Sequence, residues 1–255
     1  MQTLTERSAA RVAGLAYLTV AALAMFANFA VLENLIEPGD ATATAANITG
    51  SEGLFRAGLA SFLVVIALDV ILAWALYVYF RPVNRHLSSL IAAFRLVFAT
   101  IFGVALINLF SVLHLMSGAS YLTAFEGGQL DAQMMLAVDG FNYGWLISLA
   151  FFGIHLLLLG YLILKSRAAP KLLGILLVLA GAAYVTDTLA NALLTNYADY
   201  ETVFLLMVTV PSVIGELAFA LWLLLRGGKG QKAEASIATT PHPVSDALSG
   251  VSADA

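Results

Sequence analysis

Cysteine is missing from all 255 residues, which excludes a disulfide framework, a thiolate nucleophile and any cysteine metal site, and leaves the redox compartment unread. Charge is scarce as well. Asp, Glu, Lys and Arg together make up 11% of the chain, about half the share of an average soluble domain, and so few charges cannot cover a water-facing surface. Basic residues are outnumbered, 12 Lys and Arg against 16 Asp and Glu, and form no nucleic-acid footprint. The sequence also has no H-E-x-x-H motif, no Gly-rich phosphate loop and no paired metal-ligand spacing, so no metal site is assigned and the cofactor stays unknown.

What the chain does have is apolar length. Hydrophobic residues are 61% of it, with a mean hydropathy of +0.91, and they come in blocks of the roughly 20 residues that an α-helix needs to cross a bilayer core. Six such blocks cover residues 9–32, 55–80, 90–116, 141–164, 172–194 and 203–225. Inside lipid every backbone amide must be satisfied within its own segment, so these runs are helices rather than strands. The expected fold is all-α, a bundle of six transmembrane helices spanning residues 1–228, and its first partner is the lipid bilayer. Arg7 and Arg11 before an apolar run imitate a signal peptide, but that run is too long and no small-residue cleavage site follows it.

Charge sign gives the direction of the spans. Arg7, Arg11, Arg81, Arg85, Lys165, Arg167, Lys171, Arg226, Lys229 and Lys232 fall at alternate span ends, whereas Glu33, Glu37, Asp40, Glu52, Glu126, Asp131, Asp139, Asp199 and Glu201 occupy the other loops. The positive-inside rule makes the first set cytoplasmic, so both termini are inside a cell membrane. Arg81-Pro82 and Ala169-Pro170 close tight inner turns, because the residue before proline is pushed out of the helical region. On the outer side Thr49 and Glu52 fit a capping box for the second span, residues 38–47 read as an ordered loop, and residues 130–138 read as a short interfacial helix. Beyond Gly227 the chain turns small and polar, so residues 229–255 are expected to be a disordered cytoplasmic tail.

Ionisable groups inside a span cost about 2.5 to 3.5 kcal/mol each on insertion scales and usually face a bundle interior or a cavity. With a rise of about 1.5 Å per residue, Asp69, His155 and Glu216 each lie about 15 to 20 Å from their helix ends, near the midplane, and Arg95 lies within reach of them. These four are the candidate ligand or ion-binding residues. A second, outer layer consists of Glu33, Arg56, Asn108, His114, Asp187 and Asn191, of which Asp187 and Asn191 share a helix face at i, i+4. His114 and His155 differ by roughly 15 Å in depth, which argues against a haem held between them. Trp74, Trp145 and Trp222 lie toward span ends and read as interfacial belt anchors.

The segments PGDATATAANITGSEGLFRAG, LYVYFRPVNRHLSSLIAAFRL, FFGIHLLLLGYLI, APKLLGILLVLAGAAY and IGELAFALWLLLRGG resemble a bacterial family of membrane proteins catalogued as domain of unknown function 4386. The likeness runs over residues 11–228. It implies a six-helix inner-membrane protein and carries over no catalytic or binding residue. Its recurrent polar pattern maps here onto Pro38, Asp40, Asn47, Phe55, Arg56, Pro82, Asn84, Arg95, His155, Gly160, Pro170 and Glu216. Asp69 and His114 stand on physical grounds alone.

Three function classes fit these observations. The leading one is a membrane-embedded binding or translocation unit for a small molecule, lipid or ion, organised around Asp69, Arg95, His155 and Glu216. The second is an enzyme acting on a lipid or isoprenoid substrate in the outer layer. The third is a structural or regulatory subunit whose polar network only fixes helix packing. Sequence alone sets neither the ligand nor the oligomeric state.

Overall fold

The computed structural model describes residues 6–126, 128–166 and 168–227. Among them there is no strand, and six helices are long and apolar enough to cross a membrane, as the six hydrophobic runs require. The first span joins α1 (Glu6–Met25), a π-helical segment (Phe26–Leu32) and a last turn, α2 (Glu33–Leu35). A short helix, α3 (Ala41–Gly50), precedes the spans α4 (Glu52–Phe80) and α5 (Arg85–Leu115). After a 3-10 turn (Ser120–Ala124) come α6 (Gln129–Ser166) and α7 (Lys171–Leu193), and a second 3-10 turn (Tyr197–Tyr200) leads into α8 (Glu201–Leu225). The tail expected over residues 229–255 lies outside the described residues.

Each span packs on its sequence neighbour, and α1 packs on α8, so the six helices close into a ring. Short connections force this up-and-down order: Pro82 sits in a three-residue turn after α4, and Asn84 then starts α5 by accepting a hydrogen bond from the Leu87 N–H at 3.0 Å. Pro170 takes the same starting position at α7. The ring has a basic end, with these two turns, and an acidic end, with α3 and the 3-10 turns.

Small residues set how closely the helices approach. Gly153 and Gly160 on α6 face Gly181 and Gly174 on α7 across a seven-residue spacing. A Cβ built on Gly181 would lie 2.5 Å from the Gly153 carbonyl oxygen, and one on Gly160 would lie 2.6 Å from that of Gly174. Backbone contact of this kind replaces the hydrophobic drive that lipid cannot supply between helices. Gly14 does the same at the basic end, bringing α1 against Ala220 and Leu224 of α8.

Three local expectations are corrected. Residues 38–40 form a turn, but 41–47 are helix and not loop: Asp40 caps α3 by accepting from the Ala43 N–H at 2.9 Å, and buried Thr44 ties the helix back to the Glu37 backbone through both its donor and its acceptor. The Thr49 and Glu52 capping box does not form, since Thr49 is inside α3 and Ser51 precedes α4 without a side-chain cap bond. Residues 130–138 are the first turns of α6, continuous with its span. No proline interrupts that stretch, and Met134 and Val138 are buried there, which keeps the helix going.

Candidate functional site

Arg95, on α5, is 1% exposed. A guanidinium cannot shed its charge in a protein, so its position in the middle of an apolar span dictates its surroundings. Its Nε and Nη2 both donate to Oδ1 of Asp69 on α4, at 3.0 and 2.6 Å. Its Nη1 donates to the Tyr17 hydroxyl of α1 at 3.1 Å and meets Nε2 of His155 on α6 at 3.2 Å. One side chain on α5 thereby ties together α1, α4 and α6. The guanidinium carbon also lies 4.8 Å from the ring centre of Tyr17 and 5.2 Å from that of Phe152, within the range of cation–π attraction.

The tautomer of His155 follows from its partners. Arginine only donates, so Nε2 must accept; Nδ1 lies 2.9 Å from the Ile91 carbonyl, which only accepts, so Nδ1 carries the hydrogen. The ring is therefore a neutral spacer that passes the Arg95 contact on to the α5 backbone. Asp69 is held one-sidedly: Oδ1 takes both bonds, while Oδ2 is buried with no hydrogen-bond partner among the described residues.

Beside this cluster lies a cavity of about 290 Å³, walled by side chains from all six spans, among them Asp69, Arg95, Tyr17, Tyr184, Ser212 and Glu216. Glu216 on α8 is half-buried. It forms no ion pair among the described residues, where the pairs are Arg56 with Glu52 and Arg95 with Asp69. The four candidate residues named from the sequence thus come together: Arg95 in direct contact with Asp69 and His155, and Glu216 in the wall of the cavity beside them.

Two contributors escaped the sequence reading. Tyr17 sits in an unbroken apolar stretch, and its only signal was a hydroxyl at the depth of Arg95. Trp145, read only as a belt anchor, turns into the bundle: its ring centre lies 4.4 Å from that of Phe102, and it forms part of the cavity wall.

No hydrogen bond or ion pair joins one of the six outer-layer residues to another among the described residues. Glu33 is exposed, Arg56 pairs with Glu52 at 2.6 Å on the surface, and the Asn108 amide donates to the Ala105 carbonyl at 3.1 Å. His114 contacts the Tyr121 hydroxyl, and Asp187 accepts from the Tyr197 hydroxyl at 2.6 Å, with Asn191 one turn further along α7. No group of three or more His, Asp or Glu side chains among the described residues is placed to hold a metal ion.

A closed ring of six apolar helices around a buried ion pair defines a multi-pass membrane protein in contact with the lipid bilayer. The chain belongs to the family described as Domain of unknown function (DUF4386), which it matches over residues 12–227. It is also similar to an uncharacterized protein of Archaeoglobus fulgidus, 36% identical over 168 residues that make up 66% of this chain and 82% of that relative. No solved structure matches the chain.

Proposed function

We propose that the protein is a membrane-embedded binding unit for a small lipid-soluble molecule, held in the cavity beside Asp69, Arg95, His155 and Glu216. The observation that carries this reading is the cavity itself: every span contributes to its wall, and the buried charges border it instead of being sealed in a dry core. Its volume of about 290 Å³ is near the lower end of small-molecule sites. In this reading Arg95 fixes the wall by joining three helices, and Glu216 is the unpaired carboxyl group left for the ligand. The charge bias of the loops supports a cytoplasmic basic end.

Glu216→Gln, which keeps the shape and removes the charge, should abolish stabilisation by lipid extracts of the source membrane while the unliganded protein unfolds as before. Unchanged stabilisation would defeat the assignment of Glu216. A second reading, a packing subunit, draws on the four bonds that Arg95 makes within the protein; it predicts that filling the cavity has no consequence other than greater stability.

A further inference from the structure

The proposed binding site carries enough chemistry to name the class of its ligand. Its wall holds one cation, Arg95, and two carboxylates, Asp69 and Glu216. Asp69 already neutralises Arg95 at 2.6 Å, and His155 is neutral by its hydrogen bonds. One carboxyl group of the wall, Glu216, is left without a counter-ion among the described residues. That deficit calls for a positive group that bears N–H donors. Around it the wall is aromatic, with Phe29, Phe98, Trp145 and Phe152 beside the two tyrosines, and ring faces attract cations when water is excluded.

The route of entry is set by where the wall is open. Met25 and Phe29 of the first span and Val213 of α8 border the cavity yet are 58%, 56% and 50% exposed. They lie within membrane-spanning helices, so the exposed faces meet hydrocarbon. The first span and α8 touch at the basic end through Gly14. At the level of the opening the first span turns π-helical over Phe26–Leu32, and α8 carries Pro211, whose ring removes a backbone hydrogen bond. Irregular turns of this kind recur at functional sites.

We propose that the cavity takes a lipophilic primary amine in its ammonium form, which enters sideways from the bilayer between the first span and α8, with Glu216 as its counter-ion and the aromatic wall around its apolar body. This rests on the binding reading above and narrows it. Atoms of the ligand are not altered; the step is association only.

The test compares three probes with one apolar body and different heads: adamantylamine, adamantanol and adamantanecarboxylate, each titrated against the full chain in phosphatidylcholine nanodiscs at neutral pH. The expected result is that the amine binds at least tenfold more tightly than the alcohol and that the carboxylate does not bind. Glu216→Gln should remove that tenfold preference while keeping the affinity for the alcohol, which also shows that the variant is folded. Val213→Trp, placed at the opening, should weaken both probes together. Equal binding of amine and alcohol to the native protein, or tighter binding of the carboxylate, would overturn the cation assignment and leave the binding reading in place. No binding of any probe, with Val213→Trp indistinguishable from the native protein, would overturn both.

Discussion

At the scale of single residues, Arg95 is the constraint from which the rest follows. A permanent charge at the middle of a span is tolerated only where every contact answers it, and Asp69, Tyr17 and His155 do so from three other helices. Removing one partner of a buried pair leaves the other uncompensated and costs about 3 to 5 kcal/mol, whereas replacing both with apolar residues is often neutral. Arg95→Met should therefore destabilise the protein by about that amount, and Arg95→Met with Asp69→Leu should recover most of it, as read by reversible unfolding in mixed micelles. A double variant no more stable than the single one would show that the pair is not the source of the cost. Tyr17→Phe removes one hydrogen bond to the guanidinium and should cost about 1 kcal/mol. Asp69, Arg95, His155 and Glu216 were legible because charge in an apolar run is conspicuous and helix rise converts position into depth. Tyr17 was not, since nothing in an all-apolar stretch marks which face turns inward.

At the scale of elements, lipid changes what a sequence can reveal. A helix of a soluble bundle declares its buried side by amphipathic spacing, but here the lipid-facing and core-facing sides are both apolar, so the spans could be counted and not rotated. The contact faces are instead written in small residues. Gly153, Gly160, Gly174 and Gly181 bring α6 and α7 to backbone contact, yet glycine within a hydrophobic run reads equally well as a flexible point. Gly181→Val should cost about 1 to 3 kcal/mol by overpacking, whereas Gly103→Ala, whose added Cβ would find Ile66 at a comfortable 3.9 Å, should be close to neutral. Unfolding midpoints of the two variants decide this, and equal effects would contradict the close-contact reading of α6 and α7. Helix α3 was missed for a different reason. Pro38 and Gly39 signal a turn, and the Ala- and Thr-rich stretch after them is too short and too polar to register as a span. Its helix is secured by the Asp40 cap and by buried Thr44, contacts that local composition does not announce.

At the scale of the whole molecule, the closed ring and its charge asymmetry make separate predictions. The absence of cysteine gives a clean background for single-cysteine labelling in intact cells. Ser117→Cys at the acidic end should react with a membrane-impermeant maleimide, and His86→Cys at the basic end should react only after permeabilisation; the reverse pattern would invert the proposed orientation. The ring matters more for function, because it places the charged cluster beside a cavity that reaches the hydrocarbon. Native mass spectrometry of the protein ejected from its own membrane lipid tests this most directly. The native chain should carry a bound small molecule that Ala24→Trp, which fills the cavity from α1, no longer retains. Identical spectra for the two, with nothing bound or with the same adduct in both, would contradict an occupied site at the centre of the bundle.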